Sequence, residues 1–127
     1  MTKALLTVSL IVSCALAEIK WVSTYDAALS KAAIEKKNVM VILSKEGCPA
    51  CEYMNDIVFE EQAVQDALNK NFIPVYLDIH KDKIPSVLGY IGTPTFHFLN
   101  AKGEKLKRHD GAANIPTFMG ILNSVKK

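Results

Sequence analysis

A chain of 127 residues has room for one domain around one core, because independent domains usually need about 100 residues or more each. Half the residues are apolar and 22% are charged, with no repeat or low-complexity tract, which argues against a disordered chain. Fifteen Lys and Arg against thirteen Asp and Glu leave +2, and only Lys102, Lys105, Lys107 and Arg108 cluster, so the pattern carries no nucleic-acid footprint and the cluster reads as a solvated strand or turn.

The first seventeen residues differ from the rest. Lys3 makes a short positive start, Ala4 to Val12 is an apolar run, and Ala15-Leu16-Ala17 places small residues two apart, the pattern of a secretory signal peptide cleaved before Glu18. The uncharged stretch from Ala4 to Ala17 would reach roughly 21 Å as a helix, short of the ~30 Å hydrocarbon core of a bilayer. A competing reading is lipidation of Cys14, since Ile11-Val12-Ser13-Cys14 resembles a bacterial lipobox. Against it, Ile19 opens the fold at once, and Ala15 to Ala17 would be a tether of only about 10 Å. The domain is then expected over residues 18–127, in a periplasmic or otherwise exported setting, where thiols meet oxidising conditions.

From Ile19 the sequence "IKWV" reads as a short opening strand. Ser23 or Thr24 caps a helix, "YDAALSKAAIEKK", whose apolar positions run through Ala27, Ala28, Ala32 and Ile34. Asn38 to Ser44, "NVMVILS", is a continuous apolar run suited to a strand buried on both faces. "GCPAC" follows, and then "EYMNDIVFEEQAVQDALNKN", helical by the spacing of Met54, Ile57, Val58, Val64, Ala67 and Leu68, with a break expected near Phe59 to Glu61. Phe72 to Ile79 is a second buried strand and "KIPSVLGYIG" a short helix or turn. "TFHFLN" and "EKLKRHD" form a hairpin across Ala101-Lys102-Gly103, and Ile115, Phe118, Met119, Leu122 and Val125 mark a last helix. This β-α-β-α-β-α-β-β-α order calls for an α/β fold with a parallel core, a late antiparallel hairpin at an edge, and helices on both faces of the sheet.

Cys48 and Cys51 fall between a buried strand and a helix. Three readings compete for such a pair: structural disulfide, half of a metal site, or redox centre. A bridge spanning two intervening residues removes little unfolded-chain entropy, so it is a poor staple. A C-x-x-C inside a βαβ pattern is instead the arrangement of a thioredoxin-like redox site. There the first Cys meets unpaired helix N–H groups and the positive end of the helix dipole, which favour a thiolate. Pro49 suits the first helical turn, where its missing N–H is not needed, and Cys51 faces back one turn later.

On these residues the sequence resembles the thioredoxin superfamily over essentially all of residues 18–127. The resemblance rests on Trp21 and "DAALSKA", "VMVILSKEGCPAC", "VFEEQAVQDALNKNF" leading into "IPVYLDI", "IGTPTFHFLNAKGE", and Gly111 before the last helix. Within the superfamily it is similar to exported thioredoxin-related proteins and to the C-terminal periplasmic domain of DsbD. The resemblance implies a thioredoxin-like fold with a central mixed sheet, and "GTPTF" looks like the cis-proline loop. That would make Pro94 the cis residue and give Thr93 the role of offering its backbone to a bound substrate chain.

The sequence departs from true thioredoxins, which carry Trp-Cys-Gly-Pro-Cys and a buried Asp six residues before the first Cys. Here those places hold Gly47, Pro49-Ala50 and Ile42. Glu46 is a candidate substitute for the missing proton acceptor; its charge would raise the Cys48 pKa, whereas Lys45 would lower it.

The implied chemistry is exchange: Cys48 attacks a substrate disulfide and Cys51 resolves the mixed disulfide, with no bound cofactor. The resemblance to DsbD favours a reductase acting on exported proteins with disulfides or oxidised cysteines, fed by a membrane electron donor, and a monomer. Disulfide isomerase or oxidase is the main alternative. A thioredoxin-fold metal (copper) chaperone is a further one, for which His97 is the histidine best placed to approach the cysteines; His80 and His109 read as surface residues. Two cysteines and one distant His fall short of a structural zinc site, so no metal ligands are assigned. Phe96, Ile91 and Tyr90 are expected to offer apolar surface beside the proline loop.

Overall fold

A computed structural model describes residues 3–4, 7–9 and 18–125. Ala17 and Cys14, on which cleavage and lipidation turn, lie outside the described residues. Among the described residues no helix is long and apolar enough to cross a membrane.

The elements run α1 (Tyr25–Glu35), β1 (Asn38–Ser44), α2 (Pro49–Tyr53), a π-helical turn (Met54–Val58), α3 (Gln62–Asn71), β2 (Phe72–Asp78), β3 (Thr95–Leu99), β4 (Lys105–Asp110) and α4 (Ile115–Ser124). The four strands form one sheet in the order β2-β1-β3-β4. β1 and β2 are parallel from Asn38↔Phe72 to Ser44↔Asp78, and β3 is antiparallel to both β1 and β4. The mixed sheet with helices on both faces and a late antiparallel hairpin at one edge is therefore as expected. β3 is buried at all five positions and takes an interior place against β1, while β4, with Lys105, Lys107 and Arg108 exposed, forms the edge. An all-apolar strand needs cover on both sides; a Lys-bearing strand can face solvent and discourages further pairing.

Strand alternation divides the core in two. Met40 and Ile42 join Phe96, Phe98, Met54, Leu68 and Phe118 on the face covered by α2, α3 and α4. Val39, Val41 and Leu43 join Val75, Leu77 and Leu99 on the face covered by α1 through Ala28 and Ala32. Thr24 caps α1, its Oγ1 accepting from Ala27 N–H at 3.1 Å, and Lys36 ends the helix in a left-handed conformation. Ile34, grouped with the buried positions by its sequence spacing, is 81% exposed; two residues past Ala32 it has turned about 200° away from the sheet.

The "IKWV" strand reduces to one bridge, Val22 to Val75, in which Val22 N–H donates to the Pro74 carbonyl at 2.8 Å. Pro74 directs that carbonyl to the outer edge and has no N–H to offer beside it, so the ladder stops. Trp21 instead packs edge-on against Phe59 and Tyr76, both at 5.4 Å between ring centroids. The break expected near Phe59 is real. Phe59 N–H reaches back five residues to the Met54 carbonyl, and the ring leaves the helix to meet Phe96 and Phe118 at 6.5 and 5.8 Å. "KIPSVLGYIG" is a turn and not a helix: Leu88 N–H closes on the Pro85 carbonyl, and Leu88 drops into the α1-side core.

Candidate active site

β1 delivers the chain to the site and then turns sharply. Gly47 has φ +69°, a left-handed conformation that any side chain would strain, and the next residue, Cys48, is the N-cap of α2 with Pro49 at its first position. Cys51 N–H donates to Cys48 Sγ at 3.2 Å. The two cysteines are joined as a disulfide, with Cα atoms 5.2 Å apart, and are 4% and 2% exposed. The helical start thus supplies a backbone donor aimed at the first sulfur, an arrangement that stabilises a thiolate there once the bond is opened.

A second loop closes on the same sulfur. The Thr93–Pro94 peptide is cis. Thr93 Oγ1 donates to Cys48 Sγ at 3.3 Å, and the Thr93 carbonyl lies 3.5 Å from it, in reach of a thiol hydrogen. The loop is anchored from both ends: Thr95 Oγ1 donates to the Gly92 carbonyl at 2.7 Å, and Gly111 N–H donates to the Pro94 carbonyl at 2.8 Å. Ile91 is 95% exposed, with Tyr90 and Val87 also exposed, so apolar surface precedes the loop. Phe96 does not contribute to it; the ring is fully buried, because residue 96 alternates onto the face of β3 covered by α2, α3 and α4.

The charged candidates sit on the other side of the cysteines. Glu46 forms an ion pair with Lys81, both well exposed, and this hydrogen bond and charge raise the Lys81 pKa. Its bonded partner is thus Lys81 and not a cysteine. Lys45 is exposed. Both border a cleft of about 270 Å³ that Cys51 also lines. Ile42, where a thioredoxin carries its acid, is fully buried among apolar side chains.

Five further polar residues line that cleft with Cys51: Ser44, Glu52, Asn55, Tyr76 and Asp78. Tyr76 donates to Ser44 Oγ at 2.7 Å and accepts from Asn55 Nδ2 at 3.1 Å. Asn55 stands four residues after Cys51, a spacing that was readable as one helix face; the Tyr76–Ser44 link depends on strand register and was not.

His97 does not approach the cysteines. It pairs with Val41 across the sheet and so shares the α1-side face, opposite α2. It is 2% exposed, its Nε2 lies 2.7 Å from the Gly89 carbonyl, and burial lowers its pKa. His80 is exposed, whereas His109, read as a surface residue, has its Nε2 buried without a hydrogen-bond partner and its ring 6.2 Å from Phe96. Among the described residues no group of three or more His, Cys, Asp or Glu is arranged to hold a metal.

Comparisons with known proteins agree with this geometry. The family model described as thioredoxin-like domain matches residues 25–126. The thiol:disulfide interchange protein DsbD of Vibrio cholerae is 29% identical over 87 residues, a match covering 65% of this chain and 14% of that relative's length. A solution structure of a thioredoxin from Thermus thermophilus superposes with a TM-score of 0.70 at 27% identity, covering 85% of this chain and 87% of that one. The oxidised C-terminal domain of DsbD from Neisseria meningitidis gives a TM-score of 0.64 at 18% identity, covering 80% and 92%, and is a likeness of fold.

Proposed function

Because the chain belongs to the thioredoxin-like family and is, by its fold and joined cysteine pair, a thiol–disulfide oxidoreductase, we propose that it works outside the cytoplasm as a reductase of protein disulfides. The observation that carries the reading is the environment of Cys48 Sγ. It accepts from Cys51 N–H and Thr93 Oγ1, two donors that stabilise a thiolate while leaving the sulfur beside the Thr93–Pro94 loop. Cys48 is the nucleophile. Its thiolate attacks one sulfur of a substrate disulfide, the other sulfur leaves as a thiolate, and a mixed disulfide remains. Cys51, deprotonated, attacks Cys48 Sγ, forms the intramolecular bond and expels the second substrate sulfur. The substrate gains two electrons and the protein returns to the disulfide form.

Thr93 and Pro94 hold the substrate chain against Cys48, with the exposed apolar side chains of Tyr90 and Ile91 beside them. Lys45 and Glu46 tune the field around the pair from the opposite side. Residues 1–17 act as the export signal, the working domain is a monomer spanning 18–127, and a membrane electron donor of DsbD type returns it to the dithiol. Partners are exported proteins with disulfides or oxidised cysteines.

Equilibration of residues 18–127 against defined thiol buffers tests the direction. A reductase has a potential near that of thioredoxin, roughly −270 mV, whereas one near −120 mV makes the protein a disulfide donor and overturns the reductase assignment. Replacing Cys51→Ala is expected to trap mixed disulfides on Cys48, visible as thiol-sensitive adducts of exported proteins; a variant that accumulates none removes Cys51 as resolver.

A further inference from the structure

Lysines that are scattered along the sequence are collected by the fold. β1 and β2 run parallel from Asn38↔Phe72, so the ends of α1 and α3 and the starts of both strands meet at one end of the sheet, and the β3–β4 turn lies there too because Leu99 pairs with Val39. Lys36, Lys37 and Lys70 line one depression at this end, and Lys20, Lys31 and Lys37 line a second. Lys20, Lys31, Lys36 and Lys70 are exposed, and among the described residues Lys20, Lys36 and Lys70 enter no ion pair. We propose that this end of the molecule docks on an anionic lipid bilayer, with Cys48 facing away from it. The inference goes beyond the reduction of disulfides and does not depend on the direction of exchange.

Charge, an exposed apolar side chain and the path of the chain all point to a bilayer. With Lys102 and Lys105 at the β3–β4 turn, seven lysines at this end stand against four acids. Those acids are Glu35, which pairs with Lys31 and Lys37 at 3.8 and 3.4 Å, Asp66, whose Oδ1 accepts from Gln62 Nε2 at 2.7 Å, Glu18, and Glu104 between the two turn lysines. The rest of residues 18–127 holds nine acids and seven basic residues, so attraction to an anionic surface is directional and selects the lysine end. Ile34, in the last turn of α1 and three residues after Lys31, is 81% exposed. An apolar side chain beside cations suits the boundary between charged headgroups and acyl chains. The uncharged, largely apolar stretch Ala4 to Ala17 also joins the domain here: Asn69 Nδ2 donates to the Glu18 carbonyl at 2.7 Å, and Asn69 Oδ1 accepts from Lys20 N–H at 3.0 Å. A nucleic acid would use the charge alone. The site lies at the opposite end of β1, whose seven residues span roughly 20 Å, so docking leaves Cys48 open to solution.

Co-sedimentation of residues 18–127, which contain both core layers, with lipid vesicles tests this. Binding is expected to be about a hundredfold tighter on vesicles of equal parts phosphatidylglycerol and phosphatidylcholine than on phosphatidylcholine alone at roughly 0.01 M salt, and to vanish near about 1 M, as the Debye length falls from ~30 Å to ~3 Å. Lys36→Glu and Lys70→Glu should each weaken it at least about tenfold. Lys83→Glu makes the same change of net charge on the loop past the far end of β2, and should alter binding less than about twofold. The reduced protein should react with a neutral dithiodipyridine as fast on the vesicles as in solution, which also checks that each variant is folded. Binding that is equal on the two kinds of vesicle, absent from both, or lost equally in Lys83→Glu overturns the proposal. So does retention on immobilised heparin without binding to vesicles, which assigns the surface to a polyanionic macromolecule, and so does slowed thiol reaction on the vesicles, which puts the Cys48 end against the bilayer.

Discussion

At the residue scale, His97 shows how one buried polar group links pH to stability. Burial is the largest influence on it and lowers its pKa; the bond to Gly89 opposes that, and Arg108 and Lys105 add to the lowering. The unfolded chain therefore takes up a proton that the folded chain resists, so the neutral side chain's contribution is complete above its ordinary pKa and is lost as pH falls. Chemical denaturation between about pH 7.5 and pH 5 is expected to show stability declining through and below about 6.5, ahead of the carboxylates. In His97→Gln that part of the decline should disappear, and an unaltered slope would assign it to other groups. His97 also has a positional role, since it holds Gly89 within the segment that carries Tyr90 and Ile91 to the Thr93–Pro94 loop. Its sequence position three residues past Pro94 suggested proximity to the cysteines; strand alternation sends it to the other face.

At the scale of elements, the joint between the π-helical turn and α3 matters most. α2 alone spans five residues, too few to persist unaided. It is held because the π-helical turn continues it and because Phe59, 5% exposed, pins the following turn into a ring cluster with Trp21, Phe96 and Phe118. Gln65 secures the same corner, its Nε2 donating to the Phe59 carbonyl at 2.9 Å. Phe59→Ala is expected to cost about 3–5 kcal/mol by denaturant titration and to blunt the reaction of Cys48, because the corner orients the helix that presents it. At the other end of the range, Thr24→Ala removes a single cap from α1, on the face away from the site, and should cost about 1 kcal/mol with the thiol chemistry unchanged.

At the scale of the molecule, both core layers depend on the same two central strands. β1 and β3 contribute Met40, Ile42, Phe96 and Phe98 to one layer and Val39, Val41 and Leu99 to the other. Neither layer can open without exposing the strands that support its counterpart, so unfolding is expected to be a single cooperative transition. Trp21 is the one tryptophan and reports on the layer containing the site; its fluorescence and the far-ultraviolet signal of the whole chain should give superimposable urea curves. An earlier fluorescence transition would mean that the active-site layer loosens by itself.

Much of this was legible in the residues. Periodicity decides whether a segment buries one face or two, so β1, β2, the hairpin and the main helices follow from apolar spacing, and Pro49, Gly47 and the cysteine pair mark a strand-to-helix turn by local backbone chemistry alone. The placement of Cys48 at a helix start is local in the same sense. What only the tertiary structure decided is non-local: that β3 lies inside the sheet, that Phe96 turns inward and His97 away from the cysteines, that Glu46 finds Lys81, and that Tyr76 reaches Ser44 across 32 residues of sequence. Each depends on register between strands far apart in the chain, and register is set by how whole faces pack together, which no short stretch of sequence encodes.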